Sequence, residues 1–296
     1  MPIYLIYLFV TLSALFWGAN FVLAIPILAD LPPLWAAAFR FLLGALIMLV
    51  VAAWQKQPML TLLKRHAGIY LLLGGIGIVG FNVLFFYALQ STSADNGALI
   101  MATNPLLTTL LASAFLGERP SLRHLLALPV ALAGVAVVIA QGDMQRLLAL
   151  HFALGDWLML LADLAWAMFN VLNRQYMPKD NAFGNNAWML TAGGLLLTII
   201  AMFSGAHPAA MGAHASIAMA VMVVGGTVLA YLFWSIGIAR LGASRAAIFL
   251  NLIPVFAMLT GAMLGEYPTA AQFTGGVIVL AGVLISMVQL PVLRKR

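Results

Sequence analysis

Inside long apolar stretches, polar and aromatic side chains recur three and four residues apart: Ser13, Trp17 and Asn20; Asp163, Trp166 and Asn170; Thr227, Tyr231 and Trp234. On a helix that spacing gathers each set on one face. Asn82 and Tyr87, then Thr103, Asn104 and Thr108 around Pro105, and Asn251 beside Pro254 extend the pattern. Such groups do not face lipid unsatisfied, so they line a hydrated pathway or bond to a neighbouring helix. Their chemistry is recognition. An amide offers a donor and an acceptor together, and Trp and Tyr offer an apolar body with one polar handle. A zwitterion with an aromatic or apolar side chain suits that surface, and so do other amphipathic metabolites. A strongly cationic drug would call for a deep carboxylate, and Asp163 is the one acid in the middle of an apolar stretch.

Catalytic chemistry finds less material. Ser244 sits in Gly242-Ala243-Ser244-Arg245-Ala246, which lacks the second glycine of a nucleophile elbow. His66, His124, His151, His207 and His214 all fall in or beside polar connections, so no histidine is expected inside a span to serve as its base. No acid sits near His207 and His214 to complete a ligand set, so no metal is expected. There is no phosphate-cradling glycine-rich loop, hence no direct use of ATP and no cofactor. The chain has no cysteine, which removes disulfides and thiolate chemistry. An intramembrane enzyme and a receptor or scaffold are the rival classes, and neither predicts saturable movement of solute.

The elements that must position these residues follow from composition. Of 296 residues, 64% are hydrophobic and 7% charged, with a mean hydropathy of +1.07. A soluble domain carries about 25% charge, so this is an all-α polytopic membrane protein. About 20 apolar residues cross the hydrocarbon, and cutting at each Pro, Gly or charge cluster predicts ten spans. They cover residues 4–25, 33–54, 68–90, 96–116, 122–140, 156–177, 187–204, 216–239, 246–264 and 272–290. The first run lacks a basic flank and is too long for a signal h-region, so it is expected to remain as a span.

With the N-terminus cytoplasmic, the even connections and the C-terminal tail hold twelve of the fourteen basic residues; Arg146 falls in an odd connection and Arg40 inside the second span. The positive-inside rule therefore puts both termini in the cytoplasm. The net charge of +6 serves orientation, and no basic run is long enough for nucleic acid.

The second half repeats the first. Leu116-Gly117-Glu118-Arg119-Pro120 closes the fourth span and Leu264-Gly265-Glu266-Tyr267-Pro268 the ninth, a shift of 148 residues; Pro105 and Pro254, and Trp17 and Trp166, correspond at 149. Small residues at every fourth position precede both closures: Thr109, Ser113 and Gly117, then Ala257, Gly261 and Gly265. Five spans per half is an odd number, so the two copies are inverted, as in many secondary transporters. Residues 1–141 and 155–290 are read as the two units, and 291–296 as a basic cytoplasmic tail.

Trp-Gly-Ala-Asn at 17–20, Arg40 in Ala-Phe-Arg-Phe-Leu-Leu, the stretch from Ala88 to Pro105 with Thr92-Ser93-Ala94, and both Gly-Glu closures resemble the drug/metabolite transporter superfamily, EamA type. The resemblance covers nearly the whole chain. It implies two inverted five-helix repeats around a central cavity lined by helices 1, 3, 4, 6, 8 and 9. Within the superfamily the chain is most similar to bacterial aromatic amino acid exporters, which implies export across the inner membrane, with a multidrug or other metabolite exporter of the same fold as the alternative; oligomeric state stays open, a monomer being sufficient. Trp17, Asn20, Asn82, Tyr87, Asn104, Asp163, Trp166, Tyr231, Trp234 and Asn251 are the expected substrate-contacting residues, and Pro105 and Pro254 the expected hinges.

Arg40 and Asp163 are charged well inside their spans, each about seven residues from the outer end, roughly 10 Å at 1.5 Å per residue. Such charges need partners or water. Either the two interact or share a hydrated cavity, or Arg40 snorkels to the headgroups while polar neighbours such as Asn170 hold Asp163.

Overall fold

A computed structural model describes residues 1–92, 94–140, 143, 145, 153–265 and 267–287. Ser93, Arg146, His151, Glu266 and the tail at 291–296 lie outside them. The described residues form helices and no strand. The spans are α1 Ile3–Asp30, α2 Pro33–Trp54, α3 Met59–Ala88, α5 Leu122–Ala140, α6 Leu154–Tyr176, α7 Ala182–Phe203, α8 Ala213–Leu241, α9 Ala243–Met263 and α10 Ala270–Met287. The fourth crossing is built from two shorter pieces, α4a Ala94–Met101 and α4b Asn104–Leu116.

Packing follows the repeat. α2 packs on α7 and α5 on α10, so each of these helices meets its own counterpart. α1 packs on α8 and α9, and its counterpart α6 packs on α3 and on both pieces of the fourth crossing. The α5–α10 seam brings backbone against backbone. A Cβ on Gly134 would come within 2.6 Å of the Val279 nitrogen, and one on Gly275 within 2.7 Å of the Gly134 oxygen. Without a hydrophobic force between helices in lipid, such backbone approach is what holds them together. The outer face stays apolar: Leu46, Leu110, Phe273 and Leu284 are all more than half exposed, as a lipid-facing belt requires.

Three sequence expectations change. The third span begins at Met59, nine residues before the expected start, so Lys64, Arg65 and His66 form helical turns with a kink at His66. His124 lies in the first turns of α5 and is buried, with Nε2 3.1 Å from Thr109 Oγ1. A polar residue one turn from a helix end is drawn into the helix when a neighbouring span offers it a partner. The prolines also differ from mid-helix kinks. Pro105 and Pro254 stand in the first turn of a new helical segment, after the break at residues 102–103 in one half and after a 3-10 turn, Ile248–Leu252, in the other. That is the position where a missing N–H costs least.

Two wide-turned π-helical stretches, Gly74–Gly80 in α3 and Met222–Leu229 in α8, were not foreseen. They start 148 residues apart, the offset of the repeat. Each contains a Gly-Gly pair, the local signal for a loosened helical ladder.

Candidate functional site

The aromatic residues of α1, α6 and α8 meet at one place. The Trp17 ring lies edge-on to Trp166 at 5.3 Å, to Tyr231 at 5.7 Å and to Trp234 at 5.2 Å. Trp166 also meets Tyr231, Phe81 and Phe169, and Phe41 of α2 meets Tyr231 edge-on at 5.6 Å. Trp234, Tyr231 and Trp166 are buried, whereas Trp17 is half-buried and presents the accessible wall of the group. Two of the group's polar handles are engaged: Trp17 Nε1 donates to the Gly226 carbonyl at 3.0 Å, within the π-helical stretch of α8, and Trp234 Nε1 donates to Asn170 Oδ1 at 2.9 Å.

Asn170 then carries the site into a buried polar chain. Its Nδ2 donates to Thr108 Oγ1 at 3.2 Å, and Thr108 donates to Asn104 Oδ1 at 3.1 Å. Asn104 Nδ2 reaches Asp163 twice, at Oδ1 (2.6 Å) and at the backbone oxygen (2.9 Å). Thr103 Oγ1 lies 3.0 Å from the other carboxylate oxygen. The break between α4a and α4b places Thr103 and Asn104 opposite α6, so the irregular backbone and the carboxylate form one unit.

Asp163 and Arg40 do not pair. Equal depth does not fix which way a helix faces, and of the two alternatives Asp163 follows the second, held by polar neighbours, with Thr103 and Asn104 in the place of Asn170. Arg40 does not reach headgroups through Nε, which is fully enclosed; its Nη1 lies 3.8 Å from Met222 Sδ and its guanidinium 4.4 Å from the Phe41 ring centre.

The other sequence candidates are more scattered. Asn82 is buried and donates to Ile78 O at 2.7 Å, mending the π-helical stretch of its own helix. Asn20 is half-buried against Gly226, and Asn251 is buried; the Oδ1 of each has no partner. Tyr87 is 45% exposed and stands apart from the buried aromatic group.

Sequence reasoning missed a latch at one end of the bundle. Gly117 takes φ +64°, ending α4b, and the next residue, Glu118, reaches across to the start of α9. Its oxygens accept from Ala243 N at 2.9 Å, Ser244 N at 3.0 Å and Ser244 Oγ at 2.6 Å. Arg174 of α6 stands 4.0 Å from the same carboxylate and donates to the Ala239 carbonyl. Glu118, Arg119, Arg174, Ser244 and Arg245 line a small cavity of about 150 Å³ there. A carboxylate on the exposed N–H groups of a helix start is a strong contact. The Leu-Gly-Glu closure signalled the repeat, and nothing in it named the partner.

An apolar bundle of these proportions, with one half matching the other, also matches known sequences. The EamA-like transporter family matches residues 4–140 and again 153–288. The chain belongs to the EamA-like transporter family. Among relatives within it, an uncharacterized transporter, YyaM, of Bacillus subtilis is 34% identical over 94% of this chain and 92% of its own length. A probable amino-acid metabolite efflux pump of Salmonella typhimurium is 27% identical over 92% of this chain and 91% of its own length. One solved crystal structure superposes with a TM-score of 0.80 over 95% of each chain at 18% identity, which supports the fold alone. The family is one of multi-pass membrane transporters.

Proposed function

We propose that the protein exports amino acids with aromatic or apolar side chains across the bacterial inner membrane by alternating access. The observation that carries this reading is the buried aromatic group joined through Trp234 and Asn170 to a chain of amides and hydroxyls. It offers an apolar wall and polar groups side by side, which is what an amphipathic zwitterion needs. The Salmonella relative's name as a probable amino-acid metabolite efflux pump supports the same class. A cationic drug finds less: the one mid-span carboxylate is already engaged by Thr103 and Asn104.

The basic residues orient both termini to the cytoplasm. The Glu118 latch then closes the cytoplasmic end, where α4b meets the start of α9. At the other end α4a rests on α5 and α6 instead. With that latch as the cytoplasmic gate, the bundle opens alternately, with residues 1–141 and 155–290 as moving halves and Pro105 and Pro254 at the hinges.

Competition for counterflow of labelled phenylalanine in proteoliposomes tests the substrate class. Tryptophan, tyrosine and leucine are expected to compete at least tenfold more strongly than glycine, lysine or tetraphenylphosphonium. Preference for the cation would point to a drug exporter of the same fold.

A further inference from the structure

Among the described residues, four buried side-chain polar atoms lack a hydrogen-bond partner: Asn20 Oδ1, Arg40 Nε, His124 Nδ1 and Asn251 Oδ1. Unsatisfied buried groups are rare and each needs an explanation. Two of the four flank one stretch of α8. Arg40 Nη1 lies 3.8 Å from Met222 Sδ. Four residues on, a Cβ at Gly226 would fall 2.3 Å from Asn20 Oδ1. Met222 and Gly226 both lie in the π-helical stretch Met222–Leu229, about one wide turn apart.

A guanidinium has five N–H donors and no acceptor. Of these, Nη1 meets a thioether, a weak acceptor, and Nε meets nothing, while the guanidinium lies over the Phe41 ring. Among the described residues no carboxylate pairs with it, and Asp163 is held elsewhere. The guanidinium does border the aromatic group: it lies over the Phe41 ring, and Phe41 meets the Tyr231 ring edge-on. Tyr231 in turn packs against Trp17.

We propose that Arg40 is the anchor for the substrate's carboxylate and that Asn20 Oδ1 receives its ammonium group. The inference rests on the amino-acid reading above. The planar fork of arginine matches a carboxylate bidentately, and the lone acceptor on Asn20 matches an N–H donor. A zwitterion thus meets the donor and the acceptor that the folded chain leaves unmet, and its side chain extends toward Trp17. The ordinary cost of a membrane-embedded arginine is offset when substrate is bound.

The test compares phenylalanine with phenethylamine, which lacks the carboxylate, and with 3-phenylpropionate, which lacks the ammonium group, as competitors of phenylalanine counterflow. In the unaltered protein phenylalanine is expected to outcompete both by at least tenfold. Arg40→Met should bring the phenylalanine-to-phenethylamine ratio close to one, and Asn20→Leu should do the same for 3-phenylpropionate. A ratio unchanged in Arg40→Met overturns the assignment and leaves Arg40 a packing residue or a lipid contact. Should Arg40→Met not fold, Arg40→Lys keeps the charge without the fork. Half-saturation for phenylalanine should then rise about tenfold with that for phenethylamine unchanged; equal changes in both overturn the proposal. Absence of any amino-acid counterflow in the unaltered protein would instead reject the amino-acid reading itself.

Discussion

Trp17→Ala is expected to raise the half-saturation concentration for phenylalanine about ten- to a hundredfold, with a smaller loss of melting temperature in detergent than Trp166→Ala or Trp234→Ala. A substrate ring set against Trp17 would add an aromatic pair, roughly 0.5–1.5 kcal/mol beyond the apolar area it buries. With about 1.4 kcal/mol per tenfold in affinity, losing one wall of the site falls in that range. Trp17 is the discriminating position because it is half-buried, whereas Trp166 and Trp234 are buried. Truncating a buried Trp costs about 3–5 kcal/mol of packing, so Trp166→Ala and Trp234→Ala should lose stability together with transport. A Trp17→Ala variant that melts much earlier at unchanged affinity would reassign the residue to packing.

Asp163→Asn is expected to lower the maximal rate of counterflow about ten- to a hundredfold and to remove any response to an imposed pH gradient. Hydrogen bonds to charged groups are worth roughly 1.5–3 kcal/mol, which sets that range. The geometry suggests how a proton would act. Thr103 Oγ1 lies 2.7 Å from the Ile100 carbonyl and 3.0 Å from Asp163 Oδ2, and its one proton can serve only one of them. A charged Asp163 takes that proton. A protonated Asp163 can itself donate to Thr103, freeing the hydroxyl to bond Ile100 and tighten the break in the fourth crossing. Asparagine imitates the protonated form and keeps an acceptor for Asn104, so the variant should fold. Flux measured against pH gradients in both proteins decides the point. A gradient response that survives in Asp163→Asn excludes this carboxylate as the proton carrier.

Most of the architecture was legible because the bilayer sets it: the run length for a crossing is fixed by hydrocarbon thickness, and ten runs of that length follow one another. The repeat was legible from its closures, whose glycines take positive φ in both halves, +64° at Gly117 and +98° at Gly265. Helical spacing alone grouped Trp17, Trp166, Tyr231 and Trp234 by face, and the fold brings those faces together. Phe41, Phe81 and Phe169 were not distinguished, because a phenylalanine facing the site and one facing lipid are the same residue in the same kind of stretch. The choice between the two readings of Arg40 and Asp163 stayed open for a related reason: depth is readable from sequence, rotation about the helix axis is not. Tyr87 shares its helix with Asn82 and still projects to the surface. Glu118 was read as a repeat marker, since its partners lie some 125 residues away on backbone N–H groups that have no sequence signature.

Alternating access through this bundle is tested most directly at that latch, in a chain that contains no cysteine of its own. With Glu118→Cys and Ser244→Cys introduced together, a short reducible methanethiosulfonate linker can bridge the two positions. Labelled phenylalanine counterflow in proteoliposomes is then followed before linkage, after it, and after reduction. Saturable counterflow that stops on linkage and returns on reduction is the expected result; counterflow that continues undiminished with the bridge in place, or that is absent from the unlinked protein, would contradict it.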